Sequence, residues 1–164
     1  MTPTIRLATT ADIPQLLPLM RGLAEYEHYA DVFAVTEETL RRQGFEKSPP
    51  DFYALVADTG VELVGMLVYY LIPFTATARP TLFIKELFVA EAARGQNLGE
   101  RLMRRAAQDA AAHGCGAVRW AVADWNAGGK KFYERLGAVA NPVWVEYGLS
   151  RDALEKLASE DAPD

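Results

Sequence analysis

One junction in this chain has residue types and spacing that could do chemistry. It runs Lys85-Glu86-Leu87-Phe88-Val89 and then, past four residues, Arg94-Gly95-Gln96-Asn97-Leu98-Gly99-Glu100. The first part ends a β-branched and aromatic run, Thr81 to Val89, that reads as a buried strand. The last part opens a helix, because Leu98, Leu102, Met103, Ala106 and Ala110 recur at three- and four-residue spacing. A helix start offers backbone N–H groups without internal partners and the positive end of the macrodipole. Small residues let a phosphate approach those donors, so the loop can hold a pyrophosphate, with Arg94 adding a full charge at its lip. Taken alone, the loop reads equally well as an ordinary turn with a glycine for geometry.

Other chemistries find less support. His28 and His113 stand apart with no His-Glu-x-x-His or Cys-x-x-Cys spacing, which argues against a metal site. The Gly-x-Ser-x-Gly elbow of serine hydrolases is absent. Gly128-Gly129-Lys130 fails as a P-loop, since Lys131 replaces the required Ser or Thr and Asp124 takes the place of the first glycine. A net charge of −5 leaves no basic excess for nucleic acid and is compatible with a cationic substrate.

The elements that must position the junction follow from periodicity. Thr4 to Ala8 reads as a first strand, and Thr10 caps a helix whose apolar face is Ile13, Leu16, Leu17, Met20, Leu23 and Ala24. Pro18 falls inside that pattern and is expected to kink it or displace a hydrogen bond. The helix ends in the acidic and aromatic cluster Glu25-Tyr26-Glu27-His28-Tyr29. A shorter helix follows from Thr36 to Gln43, closed by Gly44. Phe52 to Ala57 and Val61 to Ile72 form a hairpin around Asp58-Thr59-Gly60. After the central helix come a strand at Ala117 to Ala123, the turn Asp124-Trp125-Asn126-Ala127-Gly128-Gly129, and a helix at Lys130 to Leu136. A last strand is expected at Trp144 to Leu149 and a last helix at Arg151 to Ala158, with residues 159–164 a frayed tail. No repeat or linker divides the 164 residues, so a single domain is expected, an α/β mixed sheet with helices on both faces. Cys115 is the one cysteine, no signal peptide stands at the start, and the longest apolar run is too short for a membrane helix. A soluble cytoplasmic protein is expected.

Strand, Arg-Gly-x-x-x-Gly, helix; strand, Asp-Trp-Asn; then Phe132-Tyr133-Glu134-Arg135-Leu136-Gly137-Ala138 is an order that resembles the GNAT superfamily of acetyl-CoA-dependent N-acetyltransferases. Within it the chain is similar to the diamine acetyltransferase branch, through Leu23-Ala-Glu-Tyr-Glu27, Val68-Tyr-Tyr70, Glu86-Leu-Phe-Val89 and Val122-Ala-Asp-Trp-Asn126. The likeness spans nearly the whole chain. It implies the GNAT acyl-CoA N-acyltransferase fold and acetyl-CoA as co-substrate, with no metal. It also implies a small-molecule amine as acceptor, and a homodimer whose interface includes the strand near Val143 to Leu149.

The same resemblance implies site residues. Backbone groups of Leu87, Phe88 and Val89 would hold the acetyl and pantetheine arm like an added strand. Gly95, Gln96, Asn97, Leu98, Gly99 and Glu100, beside Arg94, would wrap the pyrophosphate. Asn126 would hydrogen-bond the pantetheine, and Gly129 would lie beside the cofactor. Tyr133 would be the general acid, a role that suits a hydroxyl still protonated at neutral pH. Glu86 and Asp124 are the candidates for a base that frees the substrate amine, and Tyr26 and Glu27 would contact that amine. For Asn126 a helix cap, and for Glu25 and Glu27 a solvated surface, are the alternative readings.

Two departures bear on function. Asn97 stands where the branch most often has glycine, and Asn tolerates a left-handed backbone. Lys85 stands where the branch typically carries glutamate; it would repel a polyamine and suit a substrate with its own carboxylate, such as a lysine-like amino acid. The pattern leaves open a non-catalytic acyl-CoA-binding or regulatory module and a protein N-terminal or lysine acetyltransferase.

Overall fold

In the computed structural model, which describes residues 2–159, the chain forms two compact units, one through Asn126 and one from Ala127 onward. The first holds a five-stranded sheet in the order β1-β2-β3-β4-β5: β1 Thr4–Leu7, β2 Tyr53–Asp58, β3 Leu63–Ile72, β4 Thr81–Val89 and β5 Ala117–Arg119. Strands β1 to β4 pair antiparallel as neighbours, and β5 joins β4 in parallel. The mixed sheet and its α/β class are therefore as expected from the sequence. The β2–β3 turn is closed by Gly60, whose φ of 88° a side chain would strain and whose N–H donates to Asp58 Oδ1 at 2.7 Å.

Helix α1, Ile13–Tyr26, follows a 3-10 turn at Thr10–Asp12 and runs through Pro18 uninterrupted. Its Ile13, Leu16, Met20 and Leu23 pack on Val56, Met66 and Val68 of the sheet. Gly22 is where helix and strand come closest: a Cβ there would sit 3.0 Å from the Phe88 ring. A short helix α2, Glu37–Leu40, continues as a π-turn over Arg41–Glu46, so the expected helix through Gln43 is only half α-helical. Gly44 is favoured there by contact, because a Cβ would overlap the Phe52 ring. Helix α3, Leu98–Ala112, covers the opposite face, with Leu102, Ala106 and Ala110 against Leu55, Leu67, Tyr69, Leu82 and Ile84.

Arg6 ties three elements of this unit. Its guanidinium donates to both oxygens of Asp12 at 2.7 and 2.8 Å and to Asp58 Oδ2 at 2.8 and 2.9 Å. Asp12 is buried, and Arg6 above all holds its carboxyl down to about 2, with N–H and hydroxyl donation from Thr9 assisting.

The second unit contains helix α4, Ala127–Arg135, ended by Gly137 at a φ of 88°, and helix α5, Arg151–Ser159. The strand expected at residues 144–149 does not form. The apolar residues are there, but a strand needs a neighbour for its N–H and C=O groups, and here Trp144 (81% exposed) and Tyr147 (92%) face solvent. Ser159 closes α5 rather than fraying, and residues 160–164 of the expected tail lie outside the described ones.

Candidate active site

Strand β5 is the first determinant of the site, because it is short. The sequence suggests a strand to Ala123, yet β5 stops at Arg119 and pairs only with Thr81, Leu82 and Phe83. Among the described residues, none pairs as a strand with the β5-side edge of β4 from Ile84 to Val89. Ala90 N–H donates to Val64 C=O at 2.9 Å on the β3 side. Alternation along an antiparallel strand then turns the backbone groups of Phe88 and Glu86 toward β3 and those of Leu87 and Val89 toward the open edge. Arg94 Nε donates to the Val89 carbonyl at 3.2 Å, on that same edge. Phe88, by contrast, contributes its ring to the packing against α1.

The chain leaves β4 through a 3-10 turn at Glu91–Ala93 and enters the loop before α3. Two positions there have left-handed backbones, Gly95 with φ 80° and Asn97 with φ 57°. Asn97 thus adopts the geometry usually given to glycine, as its side-chain type permits. The first backbone bond of α3 runs from Arg101 N–H to Asn97 C=O at 3.0 Å. The N–H groups of Leu98, Gly99 and Glu100 precede it and have no intrahelical acceptor. Gln96 is exposed in the loop, and Glu100 pairs with Arg104 at 2.9 Å.

A bulge shapes the other side. Val68 pairs with Glu86 and Tyr69 with Ile84, so Lys85 is an extra residue in β4. Glu86 thereby faces α1 with Val68, and Ile84 faces α3. Glu86 Oε2 is fully covered and has no hydrogen-bond partner among the described residues. Burial pushes the Glu86 carboxyl up to about 7, the Lys85 charge opposing and the Glu27 charge assisting. The surrounding phenols respond in kind: burial, then Glu86 and Glu27, pushes Tyr29 up to about 12, and burial with Glu86 raises Tyr70. The Glu86 carboxyl thus shares its surroundings with a second acid and two phenols, an arrangement that favours its protonated form.

At the rim, the Trp125 ring lies 5.8 Å from that of Tyr26 and 5.5 Å from that of His28, and the Arg94 guanidinium stands 5.6 Å over the Tyr26 ring. Arg94 therefore joins the open edge of β4 to the end of α1. The expected residues Tyr26, Glu27, Glu86 and Arg94 are brought together in this way. Asp124 and Asn126 flank Trp125 in the turn after β5, Asn126 N–H donating to Ala123 C=O at 2.9 Å. Gly129 and Tyr133 lie on α4 in the second unit, where the Tyr133 ring meets Phe132 edge-on at 5.1 Å.

Sequence reading named Tyr29, Tyr70 and Trp125 within its motifs but gave them no individual role, because they reach Glu86 and Tyr26 only through tertiary packing. The bulge did leave a signal: Lys85-Glu86 breaks the apolar alternation of β4 with two charges in succession.

The family described as Acetyltransferase (GNAT) matches residues 19–138. Thialysine N-epsilon-acetyltransferase of Sus scrofa is 33% identical over 167 residues, spanning 95% of this chain and 97% of that protein. L-ornithine N5-acetyltransferase of Arabidopsis thaliana is 25% identical over 197 residues, spanning 93% and 86%. Among solved structures, an integron cassette protein from V. cholerae shares the fold with a TM-score of 0.82, at 24% identity, over 98% of this chain and 99% of its own.

Proposed function

Because the chain belongs to the GNAT acetyltransferase family, we propose that it transfers an acetyl group from acetyl-CoA to a primary amine of a small molecule, by direct attack of the amine on the thioester. The relatives that act on thialysine and ornithine support an acceptor of that size. Acetyl-CoA supplies the activated acyl group; the chain supplies binding, orientation and proton transfer.

The residues present fit that co-substrate. The unpaired edge at Leu87 and Val89 offers amide donors and acceptors to an extended pantetheine arm, as a missing strand would. The loop from Arg94 to Glu100, opened by left-handed Gly95 and Asn97, offers N–H groups to a diphosphate at the start of α3. Asn126 and Gly129 complete the cofactor contacts in this reading. Glu86 accepts the proton of the acceptor ammonium through a water-mediated relay, its Oε2 being covered, and Glu27, Asp124 and Tyr26 hold the cation beside it. Tyr133 donates its Oη proton to the leaving group. The single observation that carries the proposal is the open β4 edge running beside a covered, unpartnered carboxyl.

The chain acts as a homodimer in this reading, supported by the exposed apolar segment at residues 143–149. A cytoplasmic location is supported by the lone cysteine and by the lack, among the described residues, of any helix long and apolar enough to cross a membrane.

The test is CoA release from acetyl-CoA with a panel of diamines, basic amino acids and peptides. Turnover of free amines is expected, with Tyr133→Phe lowering kcat about 100-fold while retaining CoA binding. CoA binding without release for any acceptor would identify a non-catalytic module, and release with peptides alone would identify a protein acetyltransferase.

A further inference from the structure

We infer that Lys85, set on the acceptor side of β4 by the bulge, reads an acidic group on the acceptor, so that the enzyme selects amines carrying a carboxylate over the corresponding plain diamines. The inference rests on the acetyltransferase reading above and names the class of its acceptor.

Faces of β4 give the first argument. Leu82 and Ile84 pack in the α3-side core, and so do Leu87 and Val89. Phe83 stacks on Tyr70, and Phe88 packs with α1, on the opposite face. A strand without a bulge would turn Glu86 to the same side as Ile84. The extra residue resets the alternation, so Lys85 and Glu86 follow one another where the strand changes faces. Ile84 is buried, whereas Lys85 is exposed. Its ammonium lies near enough to the Glu86 carboxyl to pull that group's titration down against burial.

Charge gives the second. The covered carboxyl is that of Glu86, inward, where a proton must be removed, with Glu27 exposed near it. The cation is outward, on a flexible stem in solvent, and among the described residues no ion pair holds it. A diamine threaded toward Glu86 brings its second ammonium past Lys85 and meets repulsion. An amino acid of similar length presents a carboxylate there and gains a charge-assisted contact. The two classes differ by one carboxyl group, so discrimination between them reads Lys85 directly.

Initial rates with lysine and ornithine, set against cadaverine and putrescine, test this. The wild-type chain is expected to favour each amino acid over its decarboxylated partner by about tenfold or more in kcat/KM, a difference of about 1.4 kcal/mol. Lys85→Glu is expected to reverse the preference, chiefly through KM, and Lys85→Arg to keep it. Titration with CoA reports whether each variant is folded and cofactor-competent. An amino-acid-to-diamine ratio that stays the same in Lys85→Glu, with CoA binding intact, overturns the inference and leaves acetyl transfer standing. Absence of CoA release with every amine, by contrast, removes the acetyltransferase reading itself.

Discussion

A base that must strip an ammonium works best when its own affinity for the proton matches the surroundings, and in the proposed reaction that base is Glu86. Its carboxyl moves from 4.5 to about 7, first because burial penalises the charge and also because Glu27 stands near, against the pull of Lys85. The protonated form cannot act as base, so kcat/KM for an amine should climb as pH rises through about 7. Glu86→Gln should remove that limb and lower kcat about 100-fold, as read from pH–rate profiles of the two proteins. Stability should move the other way. A carboxyl with a raised folded-state pKa favours the fold fully below 4.5, and that contribution is lost as pH rises through about 7. Glu86→Gln should therefore gain in Tm relative to wild type at pH 8 and not at pH 4. At this scale the sequence made the loop legible, because Asn97 and Gly95 do their work within their own turn. It could not reveal the environment of Glu86, which depends on Tyr29 and Glu27 arriving from the far end of α1.

Elements hold these residues by a small number of strong ties, and the Arg6 cluster is the clearest. Removing the guanidinium would leave the buried Asp12 carboxylate with only Thr9 as donor and Asp58 with only the Gly60 N–H. Arg6→Met should cost about 2 kcal/mol at pH 7 in a urea titration. Because Asp12 sits at about 2, its share of the stability should hold above 3.8 and fade as pH falls through 2. Periodicity located α1 and α3 to within a few residues, since each buries a single face, and continuous apolar runs located β2 to β4, which helices cover on both sides. It overran β5, because Val118 to Ala123 stays strand-like in composition while the bulge at Lys85 diverts the partner that would continue the ladder. Pairing is a property of two segments, and one segment cannot report it.

On the scale of the whole molecule, the second unit exposes a run of apolar residues. Val143, Val145, Tyr147 and Leu149 alternate as a strand would, with Trp144 between the first two, yet each is exposed. A contiguous apolar patch of this kind marks an interaction surface, and in the proposed homodimer the second copy covers it. Sedimentation should give a dimer for the wild-type chain, and Trp144→Asp with Tyr147→Asp should shift it to monomer. A wild-type monomer at tens of micromolar would remove the dimer from the proposal. The expected strand at 144–149 thus describes what the residues are suited to, and the fold of one chain lacks the neighbour it needs.

The brevity of β5 also has a consequence for isotope labelling. With no neighbour on that side, the amides of Leu87 and Val89 should trade their protons for deuterons quickly although they lie in the middle of the sheet, while Glu86 and Phe88, bonded to β3, stay slow. Adding CoA should slow the first pair and leave the second as it was. A ligand that docks elsewhere would alter neither, so the labelling pattern identifies the strand the cofactor completes without any turnover being measured.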